Sequence, residues 1–176
     1  MPVPSKMDSS YRINPGDELE VYVWGEERLQ RTVRVLPDGT FAFPLAGQIS
    51  AQGKLPQDLE KILGERLRDQ YRNQVPQITV SVKTPSGLQF SVLGKVRAPG
   101  AFSPGRYVNV LEALSLAGGA AEFANLDAVL LIRKRGDQLN ATRIRLSSIF
   151  KSGASSDDVD RAVIPRVETG DTIIVP

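Results

Sequence analysis

The chain has 176 residues, 41% of them apolar and 24% charged, with 22 Lys and Arg against 20 Asp and Glu for a net charge of +2. That is the composition of a folded globular protein, one ordinary domain or two small ones, and it supplies no basic stripe for nucleic acid. Cysteine and histidine are both absent, which excludes disulfides, thiolate zinc sites, iron–sulfur clusters and the commonest general base.

Residues 1–10 (MPVPSKMDSS) are polar, lack the apolar stretch of a signal peptide, and read as a disordered tail or an added remnant. The next phrase, Asn14-Pro15-Gly16-Asp17-Glu18-Leu19-Glu20-Val21, has a near copy at 168–176, Glu168-Thr169-Gly170-Asp171-Thr172-Ile173-Ile174-Val175-Pro176. In each, a Gly-Asp turn opens onto a run with apolar residues at every second position. Gly tolerates positive φ and Asp bonds nearby backbone, so the phrase starts a strand at little cost. Two copies predict two small β-rich modules.

In the first copy Leu19, Val21 and Val23 share one strand face, and Glu18, Glu20, Tyr22 and Trp24 the other. A strand pair is expected at 32–36 and 40–43, joined as a hairpin by Pro37-Asp38-Gly39. From Leu55 to Tyr71 the period changes to that of a helix, with Leu55, Leu59, Ile62, Leu63 and Leu67 recurring on one side and Pro56 in the tolerated first turn. Residues 77–83 alternate again, with Ile78, Val80 and Val82 inward. The first module thus reads β-β-β-α-β over 11–84, and 85–87 reads as a linker.

The second module covers 88–176. Phe90, Val92 and Leu93 give a strand that stops at Gly94, and 97–105 is rich in turn residues. Asn109 with Glu112 predicts a capping-box start to a short helix that ends at Gly118-Gly119. Two strands, 129–133 and 143–146, flank a turn at Arg135-Gly136-Asp137. Residues 151–160 read as a Ser- and Asp-rich loop before the closing Gly-Asp strand. No apolar stretch approaches the roughly 18 residues that a membrane-crossing helix needs. The fold class expected is α+β, in two small modules.

These phrases resemble the outer-membrane polysaccharide export proteins of capsule and exopolysaccharide systems. Tyr11-Arg12-Ile13-Asn14-Pro15-Gly16-Asp17, Val35-Leu36-Pro37-Asp38-Gly39-Thr40-Phe41, Phe43-Pro44-Leu45-Ala46-Gly47 and Pro76-Gln77-Ile78-Thr79-Val80 resemble the polysaccharide export domain. Val92-Leu93-Gly94-Lys95-Val96-Arg97-Ala98-Pro99-Gly100, Leu111-Glu112-Ala113-Leu114 with Ala117-Gly118-Gly119, and the closing Gly-Asp strand resemble the soluble-ligand-binding β-grasp (SLBB) domain that follows it. The chain departs from the family in two ways: it has no N-terminal lipoprotein cysteine and no C-terminal amphipathic helix. It therefore reads as a short periplasmic member or as part of a longer protein.

The resemblance implies a periplasmic, outer-membrane-associated, non-catalytic component of polysaccharide export. It would form a homo-oligomeric ring that guides polymer outward, without cofactor or metal. The implied partners are the polysaccharide, an inner-membrane co-polymerase or tyrosine kinase, and a separate outer-membrane β-barrel. A soluble sugar-binding module and a regulatory adaptor for the kinase are the alternatives. The residues themselves agree on catalysis, since no nucleophile elbow, phosphate loop or paired-carboxylate spacing is present.

Charge and aromatic placement nominate the contact residues. Residues 129–151 carry six basic side chains and one acidic, while 17–27 carry five acidic and none basic. Asp17, Glu18 and Glu20 are thus expected to meet Arg133, Arg135, Arg143 and Arg145 of a neighbouring subunit, in the head-to-tail manner that closes rings. The same arginines could attract an anionic polymer. Trp24 is expected beneath the helix or at a subunit interface, with sugar stacking as the other use of its ring.

Overall fold

The computed structural model describes residues 10–72 and 75–176, and the chain divides into two units, Met1–Gly87 and Leu88–Pro176. The tail expected at 1–10 lies, save Ser10, outside the described residues.

In the first unit the period-two phrase forms β1 (Glu18–Val23), with Leu19, Val21 and Val23 buried. It is the centre of an antiparallel sheet, between β2 (Arg31–Arg34) and a long return strand, Ile78–Thr84. The Pro37-Asp38-Gly39 turn forms as expected: Leu36 donates to the Thr40 carbonyl at 2.8 Å, and Asp38 accepts from the Thr40 N–H at 3.0 Å. The expected hairpin does not form. β2 pairs with β1, whereas β3 (Thr40–Phe43) pairs with a strand the sequence reading missed, β4 (Gly47–Ser50). Turn chemistry fixes how the chain reverses, but the partner is chosen by what each strand can bury. β3 joins Phe41 to Ile49 across its ladder, both 1% exposed.

Helix α1 (Pro56–Leu67) starts where Leu55 is extended and the Asp58 carboxylate accepts the Leu55 N–H at 3.1 Å. Its Leu59, Leu63 and Leu67 are fully buried and join Leu19, Val21, Phe41 and Val80 in one core. Each such side chain contributes about 2 kcal/mol by leaving water. The return strand, β5 (Ile78–Thr84), packs on α1, and Glu60 of the helix accepts the Val80 N–H at 2.9 Å.

The second unit is a five-stranded mixed sheet. Its strands are β6 (Phe90–Gly94), β7 (Gly100–Phe102), β8 (Val129–Arg135), β9 (Gln138–Ile144) and β10 (Thr172–Val175), in the order β7-β6-β10-β8-β9. The final strand sits in the middle, parallel to β6 and antiparallel to β8. Gly94 is required where β6 ends, because φ there is +91° and a Cβ would stand 2.1 Å from the Val175 carbonyl oxygen. Helix α2 (Val110–Leu116) begins with the expected box: the Asn109 side chain accepts the Glu112 N–H and the Glu112 carboxylate accepts the Asn109 N–H, both at 2.9 Å. Its Val110, Ala113 and Leu114 pack into the core with Val92, Leu131 and Ile173.

Three expectations for this unit are corrected, the first being that the strand expected at 143–146 runs over Gln138–Ile144. The turn-rich stretch contains β7, which pairs with β6. The expected loop at 151–160 holds a short helix, α3 (Ser156–Arg161), whose start is closed by the Asp158 carboxylate accepting the Ser155 N–H at 2.9 Å and its hydroxyl at 3.0 Å.

Candidate functional site

The repeated Gly-Asp phrase builds the same turn twice. Gly16 and Gly170 have φ of +93° and +83°. In each turn the aspartate N–H donates to the carbonyl three residues earlier, Asn14 or Glu168, at 3.1 Å. The carboxylate in return accepts that residue's N–H, at 2.8 Å for Asn14 and 2.7 Å for Glu168. Among the described residues, the buried polar or charged side chains are Asp17 and Asp171, 0% and 1% exposed.

Their remaining partners differ. Asp17 accepts the Tyr11 hydroxyl at 2.8 Å and the Gly87 N–H at 2.7 Å. Gly87, expected as part of a linker, is thereby held against the turn so closely that a Cβ would stand 2.3 Å from the Pro15 carbonyl. Asp171 instead takes Arg133 in a bidentate pair, Nε to Oδ1 at 2.9 Å and Nη2 to Oδ2 at 2.7 Å. The same guanidinium reaches Glu168 at 2.9 Å and the Arg166 carbonyl at 3.0 Å. The hydrogen bonds that Arg133 donates to the Asp171 carboxylate raise its pKa above the ordinary value.

Asp17 and Arg133, both nominated as outward contacts, therefore spend their charge inside their own modules. Counting charges along the chain could not separate these from solvated ones. Glu18 is also answered locally: Arg34 lies 2.7 Å away, and that hydrogen bond holds the Glu18 carboxyl below its usual range.

What stays outward falls into two patches. The first is the face of the β2-β1-β5 sheet opposite the core. Trp24 is 56% exposed there, donates its Nε1–H to the Thr79 hydroxyl at 3.1 Å, and meets Tyr22 edge-on at 5.0 Å between ring centroids. The expectation that α1 covers Trp24 is overturned, since α1 packs among the buried residues of the opposite face. Glu20 stands on the same face, opposite Thr32 on one side and Ser81 on the other. Lys83 donates to Thr32 at 3.3 Å.

The second patch belongs to the SLBB-like unit. Arg135 is exposed beside Arg133, Asn140 and Thr142. Arg143 and Arg145, two apart and flanking the buried Ile144, line a groove of about 450 Å³. Arg161, from the last turn of α3, lines the same groove. The sequence reading missed Arg161 because it lies outside the basic run. Its only local signal was the Ser155–Asp158 spacing that starts α3.

Among the described residues, no group of three or more His, Cys, Asp or Glu is placed to hold a metal, and no helix is long and apolar enough to cross a membrane.

Comparison with known proteins assigns both units. Residues 5–83 match the family described as polysaccharide biosynthesis/export protein, and residues 89–153 match the SLBB domain. The first module belongs to the polysaccharide export family, and the second is an SLBB domain. Two curated relatives, both polysialic acid transport protein KpsD of Escherichia coli, are each 25% identical over 165 residues. That alignment takes in 94% of this chain and 28% of each relative, so the chain spans little more than a quarter of their length. In the export domain the match includes the aromatic face. In the SLBB domain it includes Arg133 to Arg145 and stops short of Arg161.

Proposed function

We propose that this protein is a non-catalytic component of polysaccharide export in the periplasm, associated with the outer membrane, and that its copies assemble into a ring along which the polymer passes. The observation that carries this reading is the order of the two domains, export over residues 5–83 and then SLBB over 89–153. The relatives named for polysialic acid transport favour an export role for this segment as well.

A conduit for hydrated sugar needs contacts that are many and weak, so that the chain slides. The outward face of the export domain suits that need. It offers hydroxyls (Thr32, Thr79, Ser81), balanced charge (Glu18 with Arg34, Glu20, Lys83) and one aromatic pair for the C–H face of a sugar. Trp24 and Glu20 are our polymer or subunit contacts in the export domain. Arg135, Arg143 and Arg145 are those in the SLBB domain. Partners at the two ends would be an inner-membrane co-polymerase or kinase and an outer-membrane β-barrel.

Solution mass by light scattering, over a protein concentration series at low and moderate salt, tests the ring. A discrete high-order oligomer supports it. A monomer under all conditions, combined with no change in polymer export when the gene is deleted, removes the conduit reading.

A further inference from the structure

Arg143, Arg145 and Arg161 converge on one groove from β9, the residue after it, and the end of α3. Alternation along an extended chain puts Arg143 and Arg145 on one side, while Ile144 between them is 3% exposed and anchors the floor. The Nε–H of Arg143 donates to the Asp127 carbonyl at 2.9 Å, which orients its guanidinium and leaves both Nη groups for another partner. The side chains of Arg145 and Arg161 have no hydrogen bond or ion pair among the described residues. One acid shares the lining, Asp158, and its carboxylate is turned to the Ser155 N–H and hydroxyl, which also hold its pKa below the ordinary value. Three cations thus share the groove with one carboxylate, whose Oδ2 is taken by Ser155.

We propose that these three arginines bind the carboxylate groups of an acidic polysaccharide, which deepens the export reading and rests on it. Guanidinium presents a planar fork that matches carboxylate with two parallel hydrogen bonds. Val163, 84% exposed, supplies an apolar wall beside the charges, suited to the C–H face of a pyranose ring. The groove's volume of about 450 Å³ is that of a small-ligand site, enough for a short stretch of polymer.

Exposed ion pairs are individually weak and screened by salt. A chain with regularly spaced carboxylates would be held by several and released one at a time, which suits passage better than tight capture. A second copy's acidic segment is the less fitting occupant. Of the five acids at 17–27, Asp17 is buried and Glu18 is paired with Arg34, which leaves Glu20, Glu26 and Glu27.

The probes are polygalacturonate, a carboxylated homopolymer, and neutral dextran, each titrated into the full chain by calorimetry at low salt. Wild type is expected to bind polygalacturonate and not dextran. The Arg145→Gln/Arg161→Gln variant is expected to weaken that binding by about tenfold or more through loss of bidentate pairs. Lys61→Gln/Lys134→Gln, which removes the same charge from elsewhere on the surface, should leave it within about twofold, and Arg145→Lys/Arg161→Lys should fall between. Equal loss in the two Gln double variants would mean diffuse charge and overturn the site. So would wild type that ignores polygalacturonate, or a groove variant that keeps the polymer but loses self-association, which marks a subunit contact. These failures leave the conduit reading standing wherever the oligomer and polymer export persist, and its own failure is read separately from mass and export.

Discussion

Asp17 and Asp171 occupy the same place in the same turn, and each is buried, but their charges are met in opposite ways. Asp17 is surrounded by neutral donors, the N–H groups of Asn14 and Gly87 and the Tyr11 hydroxyl. Asp171 has one backbone N–H and a bidentate arginine. A repeated phrase therefore specifies a local shape, and the rest of each module decides how the buried carboxylate is neutralised. In the first module the answer comes from Gly87, 70 residues away in sequence, which ties the end of the domain to its beginning. In the second it comes from β8, which ties the turn to the neighbouring strand.

The largest effect expected from this contrast is for Arg133→Ala. It strands the Asp171 carboxylate without its cation and should destabilise the second module by about 3–5 kcal/mol. Urea unfolding followed by far-UV circular dichroism measures it, and a loss under about 1 kcal/mol would mean the pair contributes little. Next comes Asp17→Ala, which removes the acceptor from three donors and should cost about 3 kcal/mol. Because no cation is involved, that cost should be the same at low and high salt. A cost that shrinks with salt would show that a charge partner holds Asp17 after all.

The smallest effect concerns a carboxylate that caps from the surface. Glu112 has its pKa lowered by the Asn109 N–H and then by Arg106. Its contribution is complete above its ordinary value of 4.5 and is lost as pH falls below that, through the folded value. Glu112→Gln should therefore melt slightly lower than wild type near neutral pH and converge with it in acid. Parallel melting curves across that range would remove the capping box from the account.

Local signals were legible in the sequence and distant ones were not. Alternation in Leu19, Val21 and Val23, helical spacing in Leu59, Leu63 and Leu67, and the Asn109–Glu112 box all report on neighbours within a few residues, and each element stands where they place it. Pairing is different. Pro37-Asp38-Gly39 announces a turn but says nothing of whether β3 prefers β2 or β4. Helix α3 escaped because its only apolar residue, Val159, gives no periodic stripe. At the candidate site the same limit applies. Arg143 and Arg145 were visible as a pair, but Arg161 joins them only through the path of α3. Conversely, Asp17 and Arg133 looked like surface charge because a tally of charges carries no information about burial.

The position of β10 bears on the order of events in biosynthesis. Thr172–Val175 is both the last strand of the second module and the one that joins β6 to β8. A chain delivered N-terminus first must keep β6 and β8 apart, with ladder groups unsatisfied, until those four residues arrive. The export domain is likewise closed by its own last strand, β5, and by Gly87 on Asp17, but these are delivered before the second module begins. The two modules should therefore complete themselves at different moments of synthesis or translocation. The later one is exposed for longer to premature pairing along its open strands, which is where a chaperone would find its substrate.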